Sequence, residues 1–142
     1  MTANLPRCIV ILVSALSAAA LLCCGKINPN DGRILTSISV SPSTADAQNF
    51  PNGQVTFTAT GTFSLPPLSG PISPASPYNG SFVVDNPAGQ TIANIVSTDA
   101  GLGTITVQCA AGAIGDVEVT ASGSANNGTS IVVTGSAQLT CP

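Results

Sequence analysis

The chain has 142 residues, of which 44% are hydrophobic and only 6% are charged, with a formal net charge of −3. This length suits a single domain with a real core, and so apolar a composition excludes an acidic disordered segment. Three basic residues leave no footprint for a phosphate backbone, and the lack of histidine excludes Ser-His-Asp and Cys-His catalysis.

The first 23 residues have the pattern of a secretory signal. Arg7 precedes an uncharged stretch that continues through Cys24. A short positive start, an apolar stretch and small residues near its end are typical of segments removed after export. The stretch resembles a bacterial lipoprotein signal, in which cysteine follows a triplet that starts with leucine (here Leu21) and ends in a small residue. We therefore predict a signal peptide over 1–23 and lipid attachment at Cys24, with Cys23 as the less favoured position.

Two other interpretations of this leader stay open. Ordinary signal peptidase could cut after Ala18–Ala20 and release a secreted or periplasmic protein. An uncleaved anchor would need about 20 apolar residues to cross a bilayer. The run here is shorter and is interrupted by Ser14 and Ser17.

Residues 24–33 contain the turn formers Asn28, Pro29, Asn30 and Gly32 and show no apolar rhythm. Such residues favour turns over helices and strands. We interpret 24–33 as a flexible tether between the anchor and a domain over 34–142.

Between residues 34 and 142, apolar and polar residues alternate with a period of two in seven segments separated by turn signals. This pattern predicts an all-β antiparallel sandwich in which each sheet has one buried and one wet face. The inward positions are Ile38 and Val40; Val55, Phe57 and Ala59; Phe82 and Val84; Ile105 and Val107; Val117, Val119 and Ala121; and Ile131, Val133, Ala137 and Leu139, while Ile92 to Val96 form a weaker fourth segment.

The segment from Ser64 to Tyr78 is rich in proline. Three of its prolines, Pro71, Pro74 and Pro77, recur at a spacing of three, which would align them along a polyproline II helix that binding domains can recognise. The simpler interpretation, which we favour, is a stiff loop between the second and third strands that proline keeps out of the sheet edge.

Cys109 and Cys141 are the two cysteines of the predicted domain, and both continue the inward rhythm of their strands. Two cysteines in an exported chain most often pair, so we predict a disulfide. The bridge would close a loop of about 33 residues and stabilise the fold by about 3–4 kcal/mol. A zinc site or a catalytic thiol would need histidine or further cysteines, which the domain lacks.

Five segments of the predicted domain carry a recognisable pattern of strands and turns: Leu35–Pro42, Gly53–Gly61, Ala93–Ile95, Gly101–Leu102 and Gly115–Ala121. They resemble bacterial immunoglobulin-like domains, the kind found in the intimin and invasin repeats. The resemblance implies an immunoglobulin-like β-sandwich over 34–142 and carries no catalytic signature. Family members commonly have a tryptophan in the third strand; this chain has none, and Phe82 is expected at that core position.

Two groups of acidic residues are candidate sites. Asp116 and Glu118 would share a strand face about 6.5–7 Å apart, a separation at which paired carboxylates can act on glycosides. Alternate polar residues on a wet strand face are the more ordinary explanation. Asp46, Asp85 and Asp99 lie near turns and could help to bind calcium. Hydrogen bonds that cap the turns explain the three aspartates equally well.

We therefore expect a non-catalytic, exported module of a bacterial cell envelope, anchored by lipid to the outer membrane and serving as a spacer or adhesion unit. No metal, cofactor or nucleic-acid partner is expected. The alternative is a recognition domain that holds a carbohydrate or a protein through its loops. The residues assigned to that loop surface are Tyr78, Asn79, Asn126 and Asn127.

Overall fold

The computed structural model describes residues 32–74, 77–126 and 130–142, which form nine β-strands and two 3-10 turns. The leader over 1–23, Cys24 and Asn127 lie outside the described residues. The strands are β1 (Leu35–Ser41), β2 (Thr44–Asp46), β3 (Gln54–Phe63), β4 (Ser69–Pro71), β5 (Ser81–Asp85), β6 (Ala93–Asp99), β7 (Thr104–Cys109), β8 (Gly115–Ser124) and β9 (Val132–Cys141), and the turns are Ala47–Asn49 and Pro51–Gly53.

The strands form two sheets. The first has the order β1-β3-β7-β6, with β4 pairing beside β7 on β3, and the second has the order β2-β9-β8-β5. When the seven longer strands are lettered A to G along the chain, the sheets are A-B-E-D and C-F-G. This is the strand arrangement of a constant-type immunoglobulin domain, so the predicted fold class is confirmed.

The N-terminal strand is divided between the two sheets. β1 pairs antiparallel with β3, whereas β2 pairs parallel with β9. Pro42 lies in the short connection between them, where a residue without an N–H group cannot extend the β1 ladder. Because β1 and β2 belong to different sheets, the short connection between them joins the two sheets along one edge of the sandwich. At this connection the Gln138 N–H group donates to the Ser43 carbonyl at 2.9 Å.

The core lies between the sheets and follows the predicted alternation. Every second side chain of β3, β7 and β8 is buried, and the residues between them face solvent on the outer sheet surfaces. Burial of each large apolar side chain contributes about 1.5–3 kcal/mol, which makes this set the main source of stability. Its largest fully buried members are Phe57, Leu35, Ile72, Ile105, Leu139, Val55, Val107 and Val119.

Three expectations need correction or refinement. The proline-rich segment is not wholly outside the sheet, because Ser69–Pro71 forms β4 and pairs with Thr60 to Thr62 of β3. Phe82 packs against the core but remains half-buried. Ile131 is 64% exposed because it precedes β9, beyond the end of the overlap between the sheets.

We call the two ends of the sandwich the N-terminal pole and the disulfide pole. The N-terminal pole comprises Gly32–Leu35, the end of β3 with the following residues 64–68, and the described residues between β8 and β9, which are 125, 126, 130 and 131. The disulfide pole lies at the opposite strand ends, where Cys109 of β7 is bonded to Cys141 of β9 with a Cα–Cα distance of 5.8 Å. The bridge confirms the predicted disulfide and joins one sheet to the other.

Candidate functional site at the N-terminal pole

Arg33 is the central polar residue of the N-terminal pole. It is only 9% exposed, although sequence reasoning assigned it to the tether. Its Nε donates to the Leu65 carbonyl at 3.2 Å, and its Nη2 donates to the Pro67 carbonyl. The rigid fork of a guanidinium suits two neighbouring carbonyl acceptors, so one side chain fixes the start of the proline-rich segment.

The Arg33 guanidinium also lies over the ring of Phe63, 3.9 Å from its centroid. A cation over an aromatic face is stabilised by the ring quadrupole, and more so when water is excluded. The Phe63 ring also contacts the Tyr78 ring; the two centroids are 4.9 Å apart and the ring planes are inclined by 39°. Arg33, Phe63 and Tyr78 thus pack as one cluster.

Tyr78 was expected to offer an aromatic surface to a ligand, and its burial corrects that expectation. The residue is 4% exposed, and its ring belongs to the core cluster. Its carbonyl accepts a hydrogen bond from the Ser124 N–H group at 2.6 Å, which ties the proline-rich segment to the end of β8. Tyr78 therefore has a structural role, because its ring packs against Phe63 and within the core.

Two other predicted loop residues, Asn79 and Asn126, lie at the same pole. Asn79 is exposed and adopts a φ of 49°, a left-handed conformation that asparagine tolerates better than most residues. Asn126 is half-buried, two residues beyond Ser124 at the end of β8. The hydrogen bond between Ser124 and Tyr78 brings these two asparagines to one end of the sandwich.

Exposed apolar side chains surround this cluster. Leu68 is 59% exposed and Val132 is 62% exposed, and three further large apolar residues nearby are similarly open. The residues 32–35, 63–68 and 124–132 contain no Asp or Glu. We call the five exposed apolar side chains the apolar rim; they are Ile34, Leu65, Leu68, Ile131 and Val132.

The predicted carboxylate pair lies elsewhere, on the outer face of the second sheet. Asp116 and Glu118 both point outward from β8 and border an open groove of about 450 Å³ that extends to Ser43 and Gln138. The Thr140 hydroxyl donates to the Asp116 carboxylate at 2.6 Å. The groove is lined by short polar side chains on a sheet face, with the two carboxylates along one strand.

Two of the other aspartates cap turns. Asp46 accepts from the Gln48 N–H group at 3.0 Å, and Asp99 accepts from the N–H groups of Gly101 and Leu102 at 2.9 and 3.2 Å. Asp85 instead accepts from the Thr120 hydroxyl at 2.8 Å. Within residues 32–74, 77–126 and 130–142, no three Asp, Glu or Cys side chains lie together in a way that could hold a metal ion.

Comparison with known protein families, with characterised proteins and with solved structures finds no match to this chain. Among the residues that the structure describes, no helix is both long enough and apolar enough to span a bilayer. Function is therefore inferred from the chain itself: its apolar N-terminal sequence, its strand order, its disulfide and the chemistry of its two poles.

Proposed function

We propose that the mature chain is a non-catalytic module of a bacterial cell envelope, an immunoglobulin-like domain held to the outer membrane by lipid on Cys24. Its role is that of a spacer or adhesion unit, comparable to the bacterial immunoglobulin-like domains that its strand segments resemble. The observation that carries the proposal is the order of parts along the chain. An apolar leader ending in cysteine is followed by a short polar tether and then by a disulfide-closed sandwich.

Two structural facts support this proposal. The bridge between Cys109 and Cys141 suits an oxidising compartment, because disulfides persist outside the cytoplasm and are rare within it. The burial of the Tyr78 ring counts against a recognition domain for sugars, since such sites usually stack an exposed ring on the ligand. A spacer or adhesion unit requires only a stable fold with well-defined ends.

Mass spectrometry of the protein isolated from bacterial membranes tests the anchor. We expect a mature N-terminus at Cys24 that carries diacylglycerol and an acyl chain. The matched variants are Cys24→Ser, which should lose metabolic labelling by a fatty acid, and Cys23→Ser, which should keep it. An unmodified N-terminus near Leu21, or labelling that survives in Cys24→Ser, would overturn the lipid anchor.

A further inference from the structure

Hydrogen bonds hold the segments of the apolar rim together at the pole where Gly32 lies. The Ser64 N–H group donates to the Ile34 carbonyl at 2.9 Å, and the Ile34 N–H group donates to the Ser64 hydroxyl at 3.0 Å. These bonds hold Ile34 beside the segment that bears Leu65 and Leu68. On the other side of the pole, Ala125 accepts from the Leu35 N–H group at 2.7 Å.

Ala125 also links β1 to the last part of the rim. Its N–H group donates to the Ile131 carbonyl at 2.8 Å, and Ile131 is followed directly by Val132 at the start of β9. The side chains of Ile131 and Val132 are 64% and 62% exposed. A cluster of open apolar side chains at one end of a domain is typical of a surface that contacts another protein or a membrane.

None of the five rim side chains carries a charge. Asp46 lies at the disulfide pole, Asp85, Asp116 and Glu118 lie on the half of the second sheet nearer to that pole, and Asp99 lies at the β6–β7 turn. Arg33 is committed to two carbonyl groups and a ring. The rim side chains are thus free of the carboxylates that an anionic lipid surface repels, although Asp31 directly precedes Gly32 in the sequence.

The length of the tether favours the same orientation. The eight residues from Cys24 to Asp31 can span at most about 29 Å when fully extended. The ten-residue strands β3, β8 and β9 are about 33 Å long, and the chain enters the domain at Gly32, at the N-terminal pole. A domain anchored at Cys24 consequently keeps this pole nearer to the bilayer than the disulfide pole.

We infer that the apolar rim is a lipid-contacting surface, which places Leu65, Leu68 and Val132 at the boundary between headgroups and acyl chains. This inference rests on the proposed lipid anchor. The anchor brings the rim to the membrane, and the rim sets the orientation of the domain. A second, weaker contact beside a covalent lipid is a common way to strengthen attachment.

Because the chain contains no tryptophan, single tryptophans can report which pole contacts lipid. The lipidated Leu68→Trp protein would be reconstituted into phosphatidylcholine vesicles with brominated acyl chains, which quench nearby indole emission. The matched control is Ile114→Trp at the disulfide pole, where the side chain is 77% exposed. Val132→Trp provides a second rim probe if Leu68→Trp does not fold.

We expect the rim probe to lose most of its emission and to shift to shorter wavelength, while the Ile114→Trp emission stays unchanged. Replacing Leu65 and Leu68 by aspartate should relieve the quenching of Val132→Trp, whereas Ile114→Asp should not. Flotation of the vesicles reports the anchor separately. Protein that does not float contradicts the lipid anchor and the orientation that depends on it.

Protein that floats with equal quenching at both poles, or with none at the rim, overturns the lipid-contacting surface alone. Self-association through the rim is the other outcome that would overturn it. In that case the Leu68→Trp emission would shift with protein concentration in the absence of vesicles, and bromination of the lipid would have no effect.

Discussion

Gly135 of β9 lies so close to Ile38 of β1 that a Cβ atom on Gly135 would overlap the Ile38 carbonyl oxygen. The overlap falls inside the 3.0 Å that real Cβ atoms keep from their neighbours. The two residues belong to different sheets. Their contact shows that the backbones of β1 and β9 pack directly against each other where the edges of the two sheets meet.

Replacing Gly135 by alanine should therefore destabilise the domain. The neighbour is backbone and cannot rotate away, so β1 and β9 must separate, and we expect the free energy of unfolding to fall by about 1–3 kcal/mol. Chemical denaturation measures the loss. The matched control is Gly70→Ala in β4, where a Cβ atom would meet the Phe63 ring at an ordinary 3.6 Å. Equal stability of the two variants would contradict the close packing.

Loss of the bridge between Cys109 and Cys141 should lower the free energy of unfolding by about 3–4 kcal/mol, because the unfolded chain regains the freedom of the closed loop. Denaturation with and without reductant measures this difference. The double variant with alanine at both positions should match the reduced protein and should not respond to reductant. A double variant as stable as the oxidised protein would show that the bridge contributes nothing.

Arg33→Ala should loosen the N-terminal pole. It removes two hydrogen bonds from a charged donor and the contact with Phe63, so we expect a loss of about 2–3 kcal/mol in the free energy of unfolding. The Ser64 amide, which donates to Ile34, should exchange its hydrogen faster.

Arg33→Lys tests whether shape or charge matters at this position. Lysine keeps the charge but cannot present a planar fork to the carbonyls of Leu65 and Pro67, so its stability should fall between those of wild type and Arg33→Ala. If lysine fully restores both stability and the Ser64 exchange rate, the fork geometry is not what holds the segment.

Glu118→Gln should stabilise the domain slightly. Glu118 and Asp85 are directly opposite each other in the β5–β8 pair, and like charges at such positions repel. We expect a gain of about 0.2–1 kcal/mol at low salt, which should shrink as salt screens the repulsion.

The control for the like-charge pair is Asp116→Asn, on the same strand face. Asp116 is opposite Thr140 and accepts a hydrogen bond from its hydroxyl group, so removing its charge should bring no gain. A gain of equal size at Asp116 would indicate a general effect of net charge and not a repulsion between Glu118 and Asp85.

Much of the fold follows from local pattern. All seven predicted segments correspond to strands. In β3, β7 and β8 the alternation follows from one buried face per sheet, whereas β6 buries only Ala93. β2 and β4 were not predicted, since three residues are too few to show a period. They exist because β9 and β3 offer them unpaired edges.

The N-terminal pole was the harder part to predict. Arg33 and Tyr78 lie outside any strand, so no periodicity indicates their burial. Their environment comes from Phe63, which is 30 residues from Arg33 in the chain and lies between the guanidinium and the phenol ring. A contact of this kind depends on tertiary packing, whereas the cysteine pair could be predicted because disulfide chemistry restricts its partners.

The opposed positions of Gly32 and Pro142 determine how the domain would bear a pulling force. β1 and β9 both run from the N-terminal pole to the disulfide pole, so tension between the two ends acts along their axes and in opposite directions. The bridge between Cys109 and Cys141 keeps β9 from sliding, so the hydrogen bonds between β1 and β3 would be sheared together instead of opening one after another. Single-molecule pulling from these ends should record one high-force rupture, while pulling across the strands should record a low one.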